Sequence, residues 1–185
     1  MQVGIVIGSI REGRVGAGVG EWVAQQAATH PGGIDWVVVD LKSFDVPLFE
    51  GAYLPMMAGK KYASPAVQEW SGALDACDAF VFVTPEYNHS VPGAFKNAID
   101  SIGPELVGKP VGLVGYGAVG GVRAIEHWRA ILSNFSAPTV RAEVNLSLFT
   151  DIADGAVKES DLKNKNLADL FNQLVDLARK LSAAS

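Results

Sequence analysis

Thr84-Pro-Glu-Tyr-Asn-His-Ser-Val-Pro-Gly-Ala-Phe-Lys-Asn-Ala-Ile-Asp100 follows an uninterrupted apolar run, Ala79-Phe-Val-Phe-Val83. The run is short and rich in aromatic and β-branched residues, which marks a buried strand from Asp78 to Thr84. A short helix is expected from Pro92 to Ser101. The residues between them form a loop at the carboxyl end of a buried strand, where open α/β sheets bind ligands. The loop offers a ring (Tyr87), an amide (Asn88), a carboxylate (Glu86) and two backbone-stiffening prolines, Pro85 and Pro92. Such a loop suits a planar heterocycle, with backbone groups facing its edge. The competing reading is a plain strand-to-helix turn whose polar residues cap the next helix.

Outward from this stretch the pattern repeats. Val3–Ile7 is a buried strand that ends in Gly8-Ser9, and Gly16 to Ala28 carries Val19, Trp22, Val23 and Ala27 at helical spacing. Ile34–Asp40 is a second strand. Leu41 to Phe49 is a loop with Pro47-Leu-Phe, and Gly51 to Ser64 continues it without a clear period, the whole rich in Tyr, Met, Pro and Lys. Loops of that length usually serve a function; this one is expected to line a substrate opening or a subunit contact. Ser64 is placed as an N-cap and Pro65 as the first residue of a helix whose buried face is Val67, Trp70, Ser71 and Leu74. Lys109–Val114 and Thr139–Leu146 read as the fourth and fifth strands, Gly120–Asn134 and Asp161–Leu181 as helices. The alternation implies a parallel sheet covered by helices on both faces. The expected fold is therefore an α/β three-layer sandwich, flavodoxin-like, with a five-stranded parallel sheet of order 2-1-3-4-5 and a switch point between strands 1 and 3. The loops after strands 1, 3 and 4 then emerge together beside that switch point.

The chain has 185 residues, read as one domain over residues 1–185, with 49% hydrophobic and 19% charged residues. A net charge of −5 argues against non-specific nucleic-acid binding, which needs phosphate neutralisation. No segment reaches the ~18 to 20 apolar residues of a membrane span, and the N-terminus lacks the pattern of a signal peptide. The single cysteine, Cys77, has no partner for a disulfide or a structural zinc site and reads as a core residue. The expected compartment is the cytoplasm.

Gly8-Ser-Ile-Arg-Glu-Gly-Arg-Val-Gly16 joins strand 1 to its helix. A helix start at about Val15 to Ala17 presents backbone N–H groups and the positive end of the helix dipole, an anion site by construction. Ser9 adds a hydroxyl, and Arg11 and Arg14 add guanidinium groups able to grip phosphate oxygens. No Lys-Ser/Thr pair closes the loop as in a triphosphate-binding Walker motif, so one terminal phosphate suits it better. The alternative is two solvated arginines on a surface turn. After strand 4, Gly115-Tyr-Gly-Ala-Val-Gly120 fits G-x-G-x-x-G literally. Yet it follows the fourth strand and does not open a βαβ unit, and the acidic residue nearest to the ~20-residue spacing that holds a ribose is Glu143. It is expected instead to be a glycine-rich wall, with Gly115, Tyr116 and Gly117 beside a ring system.

These three loops, in this order and spacing, resemble those of the NADPH-dependent FMN reductase family, the flavodoxin-like group that includes quinone, azo-dye and chromate reductases. The resemblance covers roughly residues 1–142, and the third loop is slightly shorter than the family pattern. It implies that Ser9 and Arg11 bind the FMN phosphate, and that Pro85, Glu86, Tyr87 and Asn88 contact the flavin ring. It also implies NADPH or NADH as co-substrate, and a homodimer or homotetramer with the flavin near a subunit boundary, for which the loop from Gly51 to Ser64 is the candidate for part of the contact. Residue chemistry points to no catalytic side chain, because hydride transfer to a flavin needs no strong protein acid. Glu86 is expected to orient its loop, and His89 to begin the next helix. The expected function is an FMN-dependent NAD(P)H oxidoreductase passing electrons to a quinone, flavin, azo compound or metal oxyanion. The alternatives are a non-enzymatic FMN-binding electron carrier, a module that has lost the cofactor, and a Rossmann nucleotide binder.

Overall fold

A computed structural model describes residues 1–184 of the chain. In chain order the elements are β1 (Gln2–Ile7), α1 (Gly16–Ala28), β2 (Asp35–Asp40), α2 (Pro65–Asp75), β3 (Ala79–Pro85), α3 (Gly93–Asp100), β4 (Val111–Gly117), α4 (Val122–Ser133), β5 (Thr139–Ser147), β6 (Ile152–Ala153), β7 (Ala156–Val157) and α5 (Asp161–Ala184). The main sheet has the order β2-β1-β3-β4-β5, and every pairing in it is parallel. This is the flavodoxin-like order expected from the alternation.

Central β3 shows how the sequence produces the layers. All seven of its residues are buried. Its side chains alternate with the two-residue period of a strand: Phe80 and Phe82 face a core built with Trp70, Phe95 and Trp128. Ala79, Val81 and Val83 face a second core built with Val19, Trp22, Leu167, Leu170 and Phe171. So α2, α3 and α4 cover one face, α1 and α5 the other. Trp128 donates its indole N–H to Thr84 Oγ1 at 3.0 Å, and Trp70 donates to the Ala98 carbonyl at 2.9 Å. Cys77 is buried, and burial pushes its thiol up to about 11, so it is a core residue and not a nucleophile. No helix among the described residues is long and apolar enough to cross a membrane.

Ser64 and Pro65 start α2 as expected, with the Ser64 hydroxyl accepting from the Val67 N–H. The long segment before it holds two short 3₁₀ turns, Leu41–Ser43 and Pro55–Met57. It is fastened at defined points. Asn97 on α3 accepts from the Phe49 N–H at 2.9 Å and donates to the Pro47 carbonyl at 2.8 Å. Tyr62 donates to Glu105 at 2.8 Å, and this fully buried carboxylate also accepts from Ser71 at 2.6 Å and from the Gly103 N–H at 2.8 Å. The β6–β7 hairpin was not expected. Its turn is Asp154-Gly155, both at positive φ, the favoured chemistry of a two-residue hairpin loop.

One expectation is corrected. Gly115, Tyr116 and Gly117 are not a loop: they are the last three residues of β4, and Tyr116 and Gly117 pair with Leu146 and Ser147 of β5. The turn comes later, at Gly120 and Gly121, whose φ values are 82° and 74°. Gly121 must be glycine on a second ground, since a Cβ there would lie 2.5 Å from the Tyr116 backbone nitrogen.

Candidate functional site

At the carboxyl edge of the sheet, the loops after β1 and β3 meet at the switch point beside the end of β4, and one contact ties the two loops directly. The Ser9 Oγ and Tyr87 Oη lie 2.8 Å apart, 78 residues distant in sequence. Parallel pairing of β1 with β3, with Ile7 opposite Val83, brings these loops side by side. Arg11 reaches over the same ring, its guanidinium carbon 5.8 Å from the Tyr87 centroid. A cavity of about 70 Å³ opens here, lined by Arg11, Arg14 and Val15 of the first loop, Pro85 to Tyr87, Tyr116 and Gly117 of β4, and Leu148 beyond β5. Whole small-molecule clefts run to ~300–1,000 Å³. The enclosed part therefore accepts the end of a ligand and leaves the rest of it in the open cleft.

The two arginines are not equivalent. Arg14 donates to both oxygens of Asp40, one at 2.6 Å, and to the Ser9 carbonyl. Asp40 is the last residue of β2, opposite Ile7 in register. Arg14 thus spends its charge holding the first loop against the neighbouring strand. Arg11 is exposed, and no carboxylate of the described residues pairs with it. Helix α1 begins after Val15 with no side-chain cap and no acidic residue in its first turn. The uncompensated positive field at this end therefore comes from Arg11 and the helix N-terminus.

Glu86 is the hinge between the second loop and α4. Its N–H donates to the Tyr116 carbonyl at 2.9 Å. Its carboxylate accepts from the Arg123 guanidinium at 2.7 Å and from the Arg123 N–H at 3.1 Å. Burial alone would push this carboxyl up; the Arg123 bonds and charge outweigh burial and hold it below the usual range. Glu86 is thus an ionised strut, as expected of a loop-orienting residue. Tyr87 to Ser90 form a tight turn, with N–H to carbonyl bonds of 3.0 and 3.1 Å in the two directions. Asn88 and His89 occupy its apex at φ 47° and 72°. Ser90 is tied in turn to His127 of α4 at 2.7 Å. His89 therefore belongs to the turn and not to α3.

Of the residues singled out from sequence, Ser9 and Gly16 lie beneath the cavity. Asn88 stands exposed at the turn apex, and Gly115 packs against Ile125 and the start of α4. Arg123 and Leu148 were missed. Nothing local marks Arg123, whose partner is 37 residues away. Leu148 follows β5, and its N–H donates to the Gly117 carbonyl at 3.0 Å. The donor set suits a phosphate monoester: one unneutralised guanidinium, a helix N-terminus, and a buried Tyr116 hydroxyl without a hydrogen-bond partner. Glycine at position 16 leaves that hydroxyl its room, for a Cβ there would lie 2.4 Å from it.

The profile of the NADPH-dependent FMN reductase family matches residues 1–151. The chain belongs to this family. It is 30% identical, over 189 aligned positions, to the NAD(P)H-dependent FMN reductase LOT6 of Saccharomyces cerevisiae, covering 97% of this chain and 99% of that one. It is 35% identical over 140 positions to the quinone reductase of Escherichia coli, covering 71% and 69% of the two chains. Among solved structures it is similar to the flavoenzyme NAD(P)H:(acceptor) oxidoreductase FerB of Paracoccus denitrificans, with a TM-score of 0.73, 25% identity and 97% of each chain covered. Membership makes this chain an oxidoreductase of a flavin- and NAD(P)H-dependent family and gives the two loops and the end of β4 their chemical context.

Proposed function

We propose that this chain holds FMN at the edge formed by β1, β3 and β4, takes reducing equivalents from NADPH or NADH, and delivers them to a quinone, a free flavin, an azo compound or a metal oxyanion. The observation that carries this is the partly open cavity before α1, lined by Arg11, which no carboxylate of the described residues pairs with. Arg11, Ser9 and the first N–H groups of α1, at Val15 and Gly16, would hold the phosphate. Arg14 would keep their loop in place through Asp40. Backbone groups of Pro85 to Asn88 would meet the ring edge, with Gly117 at the cavity wall offering no side chain, while Gly115 packs against α4. The tight turn and the Glu86–Arg123 pair keep that edge rigid, which favours binding by removing ordering cost. When bound, FMN supplies the redox chemistry, accepting a hydride from the nicotinamide and releasing electrons to the acceptor. Glu86, held ionised and engaged by Arg123, is not placed to supply a proton there.

One open face serving both substrates in turn implies double-displacement kinetics. Initial rates at several NADPH and quinone concentrations should give parallel double-reciprocal lines. FMN binding with negligible NAD(P)H turnover would favour the electron-carrier reading instead.

The assembly we propose is a homodimer, or a homotetramer built from it, seated on the segment from Pro47 to Ser64. This segment is fastened from beneath by Asn97 and Glu105, yet it exposes Leu48, Leu54, Tyr53 and Met57, the last two 86% and 82% exposed. A rigid, apolar and exposed surface of this kind marks a protein contact. An apolar groove of about 690 Å³ runs along it.

A further inference from the structure

We propose that the Tyr116 hydroxyl is a specificity determinant for phosphorylated flavin, donating to the cofactor phosphate from beneath the first loop. This rests on the FMN reading of the site and deepens it. The side chain of Tyr116 descends from β4 into the layer of α1, where it is 4% exposed and packs in the same core as Val19 and Trp22. Its Oη is buried and has no hydrogen-bond partner. Leaving a buried hydroxyl unmet costs free energy, so such an atom in a well-packed core calls for a partner the protein does not itself provide. The Oη is aimed at the first loop: the position of a Cβ on Gly16 falls 2.4 Å from it and 3.3 Å from the Ser9 Cβ. Tyr116 also lines the cavity that Arg11 faces.

Counting protons sharpens the argument. A hydroxyl has one to give. Ser9 and Tyr87 share one hydrogen bond between them, which uses one of their two protons. The Ser9 hydroxyl lies within polar reach of the Tyr116 hydroxyl and lowers its pKa as a hydrogen-bonding neighbour does, but the two are not placed for a formed hydrogen bond. The proton of Tyr116 is thus committed to no formed hydrogen bond and is left for a ligand. Arg14 is neutralised by Asp40, so Arg11 is the one guanidinium of the cavity lining that no carboxylate of the described residues engages. Hydroxyl donors then carry a larger share of phosphate recognition. Burial, with the nearby Tyr87, raises the Tyr116 phenol above its ordinary value, so it keeps its proton in neutral solution and serves as a donor. Riboflavin, which lacks the phosphate, leaves this donor unmet, and a site built to bond a polar group discriminates against the analogue that lacks it.

The test is Tyr116→Phe, which removes one oxygen and keeps the ring. Apoprotein is titrated with FMN and with riboflavin, following quenching of flavin fluorescence, and its melting temperature is read with and without inorganic phosphate. Wild type should prefer FMN. The variant should bind FMN about ten- to hundredfold more weakly with riboflavin affinity unchanged, and phosphate should raise the melting temperature of wild type more than that of the variant. Equal loss for both flavins would assign Tyr116 a merely structural role and overturn the proposal, as would unchanged FMN affinity. Arg11→Ala, on the surface and free of core contacts, separates the two levels of the argument. If it selectively weakens FMN while Tyr116→Phe does not, the phosphate site stands and the Tyr116 assignment falls. If wild type binds neither flavin, the cofactor reading itself fails and takes this one with it.

Discussion

Arg11 and Arg14 stand three residues apart in one loop, and the fold gives them different work. Asp40 reaches Arg14 only because β2 pairs in parallel with β1, so no local pattern could have told the two apart. Arg11→Ala should weaken FMN binding by about 1.5–3 kcal/mol, the worth of a hydrogen bond to a charged group, with the urea midpoint of the apoprotein unchanged. Arg14→Ala should instead lower that midpoint, because Asp40 and the Ser9 carbonyl lose their donor. Glu86 gives a pH-dependent prediction. Its folded pKa is depressed, so its contribution is present above the unfolded value of about 4.3 and is lost as pH falls through the folded value. Arg123→Met should therefore destabilise the protein at neutral pH, and the difference from wild type should shrink in urea titrations carried progressively below pH ~4. Glu86 was legible from the sequence as a loop-orienting residue; the identity of its partner was not, because only tertiary packing sets α4 beside the β3 loop.

The turn from Tyr87 to Ser90 is an element with a measurable cost. Two non-glycine residues at positive φ fill positions that favour Asn and Gly. Asn88 tolerates this conformation; His89 does so at a cost of ~1–2 kcal/mol. His89→Gly should relieve that cost against ~0.5–1 kcal/mol of added chain entropy. The expected net effect is a protein more stable by about 0.5–1 kcal/mol in urea unfolding; destabilisation would contradict the assignment of this turn. Strands and helices were legible where local chemistry agrees with the fold: Ala79–Val83 by its apolar run, α2 by Ser64 and Pro65. Reading failed at Gly115–Gly117, where two glycines spoke for a loop. There, pairing with Pro85 on one side and Ser147 on the other overrides the poor strand propensity of glycine. The β6–β7 hairpin was within reach, since Asp154-Gly155 is a strong turn signal, but its two-residue strands are too short to show alternation.

At the scale of the molecule, function follows from the order of the strands. Because β1 and β3 are neighbours, loops distant in sequence meet at one edge, and the alternation of strands and helices was enough to foresee that meeting. It could not foresee how tightly the long segment before α2 is held, for Glu105 and Asn97 act across the fold. If that segment is the seat of a second copy, the double variant Tyr53→Lys, Met57→Lys should give a monomer by light scattering after gel filtration, while wild type gives a dimer or tetramer. A wild-type monomer would refute the proposed assembly. The central claim, that this edge holds FMN for reduction by a nicotinamide, is tested most directly by anaerobic absorbance spectroscopy of the FMN-reconstituted protein mixed with NADPH, and in parallel with NADH. The account predicts that the flavin bands bleach rapidly with at least one of the two nicotinamides and return when a quinone is added. Flavin that binds and stays oxidised, or no flavin uptake, would contradict it.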